Sequence, residues 1–347
     1  MPVRLPLRLT APRPARRAAL GLGALVAGSA LLVACSSSAE EGTPDAPAPA
    51  ASLTSYPVTV DSCGTEVTLE EAPERVVAIK SSAIEMVLAL GAGDRLVGTG
   101  FADGPVPADL AEAAADLPVL SDEVPAAEVV LETEPDLVYA GWESNFSAEG
   151  AGERGMLAEL GVATYVSPAA CKDPAYQPDR LSFEDVFAEI TEVATLLGVP
   201  EAAEELVAAQ QAELAAVPAD DRGLTALWYS SGTDVPYVGA GIGAPQMILD
   251  AVGLENVAAE VEDTWTSFGW EEVVAADPDV IVLVDAAWNT AEQKRELLAG
   301  NAATANLEAV REERYLEIPF PATEAGVRNV AATAELAEQL AALDLTP

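Results

Sequence analysis

Short apolar runs alternate with helical patterns through most of this sequence, and this alternation restricts the possible folds more than any other feature. The runs 75–80, 136–141 and 163–167 have the length and apolar content of buried strands, and segments with helical spacing lie between them. After residue 221 the same order begins again with LTALWYSS and continues through PDVIVLVDAAW and YLEIPF. Alternating strands and helices form mostly parallel sheets, so we predict two Rossmann-like α/β lobes.

A repeated segment indicates that both halves contain the same supersecondary unit. Residues 127–138 align without gaps against residues 270–281. In each copy a glutamate stands seven residues before a proline, an acid directly precedes that proline, and an aspartate follows it into an apolar strand. Self-similarity of this kind is typical of duplicated structural units.

Two helices are predicted between the halves. Ser182 with Asp185 three residues later has the pattern of a helix start, and Gly198 that of a helix end. Pro200 opens a second amphipathic segment that runs to Val217. A helix of about 17 residues spans roughly 25 Å, which is enough to cross between two small lobes.

The N-terminus has the features of an export signal. Residues 1–34 contain arginines and no acid, and the apolar run 18–34 is shorter than the roughly 20 residues that a spanning helix needs. The run ends in Leu32-Val33-Ala34-Cys35, which resembles the lipobox of bacterial lipoproteins, whose cysteine is lipidated. Residues 35–55 are small, polar and proline-rich, so we predict the lipidated Cys35 and a disordered tether. Such a protein would be anchored by its lipid on the extracytoplasmic face of the cell membrane. The alternative is that Cys35 follows an ordinary signal peptide by chance and carries no lipid.

Charge and composition exclude several classes of function. The chain has 57 acidic and 17 basic residues, a net charge of −40, so no nucleic-acid partner is expected. It has no histidine, the commonest general base, zinc ligand and haem ligand. We therefore expect no enzyme, no metal site and no cofactor. Two alternative functions remain open. One is a secreted α/β enzyme, in which a lysine could act as the base, and the other is a surface interaction protein.

Two cysteines, Cys63 and Cys171, remain after the lipobox. An even remainder in an exported protein favours one disulfide bond. Two separate buried thiols are the alternative.

Five motifs follow one another in a fixed order between residues 56 and 345. They are Pro73-Glu74-Arg75-Val76-Val77, Leu88-Ala89-Leu90-Gly91, Arg95-Leu96-Val97-Gly98, Glu134-Pro135-Asp136-Leu137 and Asp277-Pro278-Asp279-Val280-Ile281. Each is generic alone, but the ordered set resembles the substrate-binding proteins of ABC importers for iron chelates and vitamin B12, the periplasmic binding proteins with a helical backbone.

This resemblance implies a monomer of two lobes joined by a single connector helix, with a ligand cleft between the lobes. The implied domains are a signal peptide at 1–34, the tether at 35–55, an N-terminal lobe at 56–199, the connector at 200–217 and a C-terminal lobe at 218–347. The implied partners are an ABC permease with its ATPase and a small-molecule ligand, which is captured and delivered without chemical change.

The resemblance also implies that one surface glutamate on each lobe docks on arginines of the permease. Glu128 and Glu271, equivalent positions of the repeat, match those positions, and Glu272 is a rival to Glu271. Charges placed in this way orient association more than they add affinity. The alternative is that both acids only favour the dipole of a helix N-terminus.

Ligand contacts are expected at the carboxyl ends of the strands, where open α/β sheets form their crevices. Trp142 and Trp265 lead the candidates because relatives that bind iron chelates have aromatic residues at matching positions. The full candidate set is Lys80, Ser81, Trp142, Trp228, Tyr229, Trp265, Trp270, Trp288 and Arg328. Packing in the core is the alternative for any single tryptophan.

A ferric siderophore is the first candidate ligand by its frequency in the family, and cobalamin is the second. The stretch 79–82, the Cys171 segment and residues 264–267 resemble an actinobacterial subgroup proposed to take up a deazaflavin cofactor precursor. A glycine loop at 239–243 precedes a helix start, where backbone amides can hold a phosphate, although a plain loop is the simpler interpretation.

Overall fold

The computed structural model describes residues 54–343 and residue 345, so the predicted signal peptide and Cys35 lie outside the described residues. The strands are β1 Val58–Ser62, β2 Thr65–Leu69, β3 Val76–Ile79, β4 Leu96–Gly100, β5 Val119–Ser121, β6 Leu137–Ala140, β7 Ala163–Val166, β8 Thr225–Ser231, β9 Tyr237–Gly239, β10 Glu255–Asn256, β11 Trp265–Ser267, β12 Val280–Asp285 and β13 Tyr315–Pro319. The helices are α1 Ser81–Ala89, α2 Ala111–Ala114, α3 Ala127–Glu132, α4 Arg154–Glu159, α5 Phe183–Leu197, α6 Pro200–Ala216, α7 Ala244–Val252, α8 Trp270–Ala276, α9 Ala291–Gly300, α10 Glu308–Arg311 and α11 Asn329–Ala342. None of these helices is both long and apolar enough to cross a bilayer.

The first lobe is built on a five-stranded parallel sheet in the order β5-β4-β3-β6-β7. All residues of the central strands β3 and β6 are buried, as expected for a parallel sheet covered by helices on both faces. The short ribbon of β1 and β2 stands apart as an antiparallel pair. The predicted parallel sheet is therefore confirmed in this lobe.

The second lobe has a mixed sheet in the order β11-β9-β8-β12-β13, with the short β10 beside β8. Strands β8, β10, β12 and β13 are parallel, but β9 is antiparallel to both β8 and β11. The sheet is thus mostly parallel, as predicted, and β9 is the antiparallel exception. Only five residues separate Ser231 from Tyr237, and such a short connection allows an antiparallel return but no parallel crossover.

Helices α5 and α6 begin and end where the sequence predicts. The Ser182 side chain accepts from the Asp185 N–H, the Asp185 carboxylate accepts from the Ser182 N–H, and Gly198 closes α5 with a φ of 70°. Helix α6 packs against α5 and α11, and the Gln210 side chain donates to the Val327 carbonyl at 2.8 Å. Its first turns lie beside the end of α1. Helix α6 thus contacts elements of both lobes, which together form one compact unit.

The repeated segment has the same local structure in both lobes. Asp136 accepts from the N–H groups of residues 74 and 75 before β3, and Asp279 accepts from the Thr225 N–H at the start of β8. The residue before each proline, Glu134 or Asp277, has a left-handed φ, of 47° and 44°. In each lobe the repeated segment therefore ends a short helix, and its aspartate links the strand that follows to the central strand of the same sheet.

Cys63 and Cys171 form a disulfide bond, with their Cα atoms 5.3 Å apart. This confirms the predicted pairing. The bond joins the turn between β1 and β2 to the segment that follows β7, 108 residues away in sequence.

Candidate ligand-binding site

A pocket of about 300 Å³ lies between the two lobes, at the carboxyl ends of the first parallel sheet. From the first lobe it is lined by residues that follow β3, β6 and β7, including Ser82, Trp142 and Ser167. From the second lobe it is lined by the start of α7, by Trp265 and by the segment 323–325 after β13. The strand ends face the pocket as the open α/β arrangement predicts.

Trp142 and Trp265 are brought together as walls of this one pocket. The indole N–H of Trp142 donates to the Glu324 carboxylate, and the Lys80 ammonium lies 3.6 Å from its ring centroid. Trp265 stacks on Tyr237, with ring centroids 6.0 Å apart and an interplanar angle of 15°. Both tryptophans are half-buried. Their surroundings fix the two rings, which can contact a flat or chelated ligand.

Lys80 lies behind Trp142 and is fully buried. Its ammonium pairs with Asp103 and lies 4.6 Å and 5.2 Å from the ring centroids of Phe101 and Phe320. A buried cation is tolerated only with such partners. Ser81 is buried as well, and its hydroxyl accepts from the Asp103 N–H at 2.9 Å. Neither residue lines the pocket, so the structure places both in its supporting layer.

The other aromatic candidates lie away from the pocket lining. Trp228 and Tyr229 are neighbours on the central strand β8, so their side chains enter the cores on opposite faces of the sheet. Trp270 is buried against Tyr229 and donates its indole N–H to the Thr233 carbonyl at 2.9 Å. Trp288 is 59% exposed and contacts Phe320 edge to face. Core packing thus accounts for three of these four side chains.

Arg328 is already engaged by a carboxylate. Its guanidinium donates twice to Glu85, which is 1% exposed, and once to the Pro105 carbonyl at 2.7 Å. Burial raises the pKa of the Glu85 carboxyl, and the Arg328 contact partly offsets the increase. The structure therefore places Arg328 in a contact between α1 and the start of α11, outside the pocket lining.

Glu128 and Glu271 occupy the first turns of α3 and α8 and are both exposed. Neither side chain forms a hydrogen bond or ion pair with a described residue. Glu272 differs, because its carboxylate accepts from the Gly269 N–H at 2.6 Å and so caps α8. Of the two candidate docking residues in the second lobe, Glu272 is used as a helix cap, whereas the Glu271 side chain has no hydrogen-bond partner among the described residues.

Several polar residues of the pocket lining were not among the predicted site residues, and Ser167, Lys172 and Glu324 are examples. Burial raises the pKa of the Glu324 carboxyl, and Lys80 partly offsets this. Lys172 lies in a segment held by the disulfide bond, and no periodic pattern marks it. Only its position next to Cys171 was available as a signal.

A buried carboxyl group supports the pocket wall from behind. Glu189 on α5 accepts from the Tyr139 hydroxyl at 2.9 Å and from the Ser167 hydroxyl at 3.0 Å. Burial raises its pKa to about 7, although both hydrogen bonds act in the opposite direction. Because Ser167 also lines the pocket, this carboxyl group is one residue away from any bound ligand.

The start of α7 forms part of the wall contributed by the second lobe. Gly243 and Ala244 line the pocket, and Gly243 precedes the first helical residue. This is the helix start that follows the glycine loop of the sequence. Two fixed indoles, several hydroxyls and a helix start make the pocket suited to a polar ligand with a flat or chelated part.

Two α/β lobes with an aromatic pocket between them define a solute-binding protein, and comparisons with known proteins identify its kind. The family model described as periplasmic binding protein matches residues 76–322. The chain belongs to this family, whose members bind substrates for ABC transporters and are not enzymes. The resemblance seen in the sequence motifs is therefore confirmed.

Individual relatives agree with this assignment. The chain is 26% identical over 295 residues to an uncharacterized ABC transporter substrate-binding lipoprotein, YvrC, of Bacillus subtilis, covering 82% of this chain and 86% of that protein. A periplasmic binding protein from Veillonella parvula superposes with a TM-score of 0.72 at 27% identity, covering 83% of this chain and 98% of that one. An ABC-type Fe3+-hydroxamate transport protein from Saccharomonospora viridis superposes with a TM-score of 0.71 at 25% identity, covering 83% and 100%.

Proposed function

We propose that this protein is the lipid-anchored solute receptor of an ABC importer, and that it captures a ferric siderophore and delivers it to the permease. The observation that carries the proposal is the pocket between the lobes with Trp142 and Trp265 in its walls. The rest of the lining combines five hydroxyl side chains, one amide, one lysine and one glutamate with small or apolar residues. These groups suit an iron atom that arrives already coordinated by its own chelator.

Similarity to the Fe3+-hydroxamate transport protein favours a hydroxamate chelate as the first probe. Cobalamin, by its frequency in the family, and a deazaflavin, by the sequence motifs, are the two alternatives. Tryptophan fluorescence titration of the mature protein with each of the three tests them. We expect one of them to quench the emission with saturation and with no chemical change in the ligand. Unchanged emission with all three would contradict the proposal.

Site-directed variants locate the binding. Trp142→Ala and Trp265→Ala should each weaken the affinity about 5- to 150-fold, since stacking of a flat ligand on one aromatic ring contributes about 1–3 kcal/mol. Trp288→Ala is the matched control, because that ring is exposed and lies outside the pocket lining. Equal losses in all three variants would contradict binding between the lobes.

Docking on the permease is tested separately by uptake in cells. Replacing Glu128 and Glu271 together by alanine should reduce uptake while the ligand affinity stays unchanged. The control replaces two other exposed glutamates, Glu132 and Glu296, and so removes the same charge. Loss of ligand affinity in the first variant would instead assign these residues to binding.

Anchoring depends on Cys35. Replacing this cysteine by serine should release the protein from the membrane fraction into the medium or periplasm, since the anchor is the lipid on that residue. Retention of the Cys35→Ser protein in the membrane would contradict the lipoprotein assignment.

A further inference from the structure

Lys172 differs from the other basic side chains of the described part of the chain. The eleven others donate to carboxylates or backbone carbonyls. Seven are in ion pairs: Lys80, Arg180, Arg222, Arg295, Arg311, Arg314 and Arg328. Four donate to carbonyls: Arg75, Arg95, Arg154 and Lys294. The Lys172 ammonium has no such partner among the described residues.

Lys172 is also the one basic residue that lines the pocket, as far as the described residues go. Two acids lie next to it in space or sequence, since the Glu143 carboxylate accepts from the Lys172 backbone N–H at 2.6 Å and Asp173 accepts from the Ala175 N–H at 3.0 Å, but neither forms an ion pair with the Lys172 ammonium in the described part of the chain. In a chain with 57 acidic residues, a lysine without an acidic partner at a pocket is unusual. Its charge is available to a ligand.

The backbone around Lys172 is held in place. Cys171 is tied by the disulfide bond to Cys63, and the Gln177 side chain donates to the Cys171 carbonyl. The lysine therefore projects from a fixed point on the pocket rim, although its own side chain is exposed. A cation on a fixed backbone loses less entropy on contact with a ligand than one on a mobile loop.

Among the residues that the structure describes, Glu324 is the one carboxylate of the pocket lining, and it forms no ion pair with Lys172. Glu324 accepts from the Trp142 indole N–H; burial raises the pKa of its carboxyl, and the Lys80 ammonium partly offsets the increase. Its hydrogen bond is thus made on the Trp142 side of the pocket. Glu324 and Lys172, the two charged side chains of the described lining, therefore do not pair with each other.

We propose that Lys172 is a specificity determinant that contacts an anionic group, a phosphate or a carboxylate, on the ligand. This inference rests on the proposed function, because it assumes that a small solute binds between the lobes. The protein would then discriminate between ligands of the same shape by charge. Because the chain is strongly acidic, a local cation would offset its repulsion of an anionic ligand.

Matched pairs of probes test this inference directly. Each pair differs only in one anionic group: riboflavin and riboflavin 5′-phosphate, a linear ferric trihydroxamate with a terminal amine and its succinylated form, and cobalamin and its monocarboxylic acid. For the scaffold that binds, we expect the anionic member to bind about tenfold more tightly at low salt. The advantage should shrink in 0.5 M NaCl, since the contact is exposed to solvent.

Three variants assign the effect to Lys172. Lys172→Gln should abolish the advantage of the anionic member and leave the affinity for the neutral member unchanged, while Lys172→Arg should retain it. Arg311→Gln removes an equal charge from an exposed site and should have no effect. Equal affinity for both members, or an advantage that survives in Lys172→Gln, would overturn the inference and leave the proposed function intact. Failure of every probe to bind would overturn both.

Discussion

Replacing Glu189 by glutamine should stabilise the protein at alkaline pH and change little at acidic pH. Burial raises the pKa of this carboxyl from an ordinary value of 4.5 to about 7. Between these two values the folded protein holds a proton that the unfolded chain has released. The stability contributed by the neutral carboxyl is therefore complete below about pH 4.5 and is lost as the pH rises through about 7.

The size of the effect follows from the shift in pKa. A change from 4.5 to about 7, at about 1.4 kcal/mol for each unit, corresponds to about 3 kcal/mol at pH 8. Glutamine is neutral at every pH and can still accept from the Tyr139 hydroxyl, while its amide can donate to Ser167. The Glu189→Gln protein should thus exceed the wild type in free energy of unfolding by about 3 kcal/mol at pH 8.

Urea unfolding followed by circular dichroism, at pH 5 and pH 8 with the disulfide bond intact, measures this difference. Glu184→Gln is the control, because it removes a carboxylate from an exposed position on the same helix. It should change the free energy of unfolding by less than about 1 kcal/mol at either pH. A Glu189→Gln protein that is equally destabilised at both pH values would refute the reasoning.

Three further changes test other contacts by the same unfolding measurement. Replacing Cys63 and Cys171 by alanine should cost about 4 kcal/mol, since the bond closes a long loop, and unchanged stability would contradict this. Arg328→Met should cost about 3–5 kcal/mol because it leaves the buried Glu85 unpaired, and adding Glu85→Leu should restore part of the loss. Asp136→Ala should cost about 2 kcal/mol, since two backbone N–H groups lose their acceptor; a loss below about 0.5 kcal/mol would argue against it.

Local patterns in the sequence determined most of the secondary structure. The strands β3, β6, β8 and β12 are continuous apolar runs, and such runs are buried on both faces wherever they lie in a parallel sheet. The cap at Ser182 and the end at Gly198 depend on neighbouring residues alone. The antiparallel strands β9 and β11 were not predicted, because three-residue strands carry too little pattern to be recognised.

The sequence by itself also determined which residue types were available to the site, but only the tertiary structure decided which of them meet. Trp142 and Trp265 reach the pocket, whereas Trp228 sits on a strand covered on both faces and cannot. Both Lys80 and Lys172 follow predicted strands in the sequence. Lys80 is buried among aromatic rings, whereas Lys172 lines the pocket and has no acidic partner among the described residues. The burial of a side chain and its pairing depend on segments that lie far apart in the chain. A local sequence pattern therefore cannot predict them.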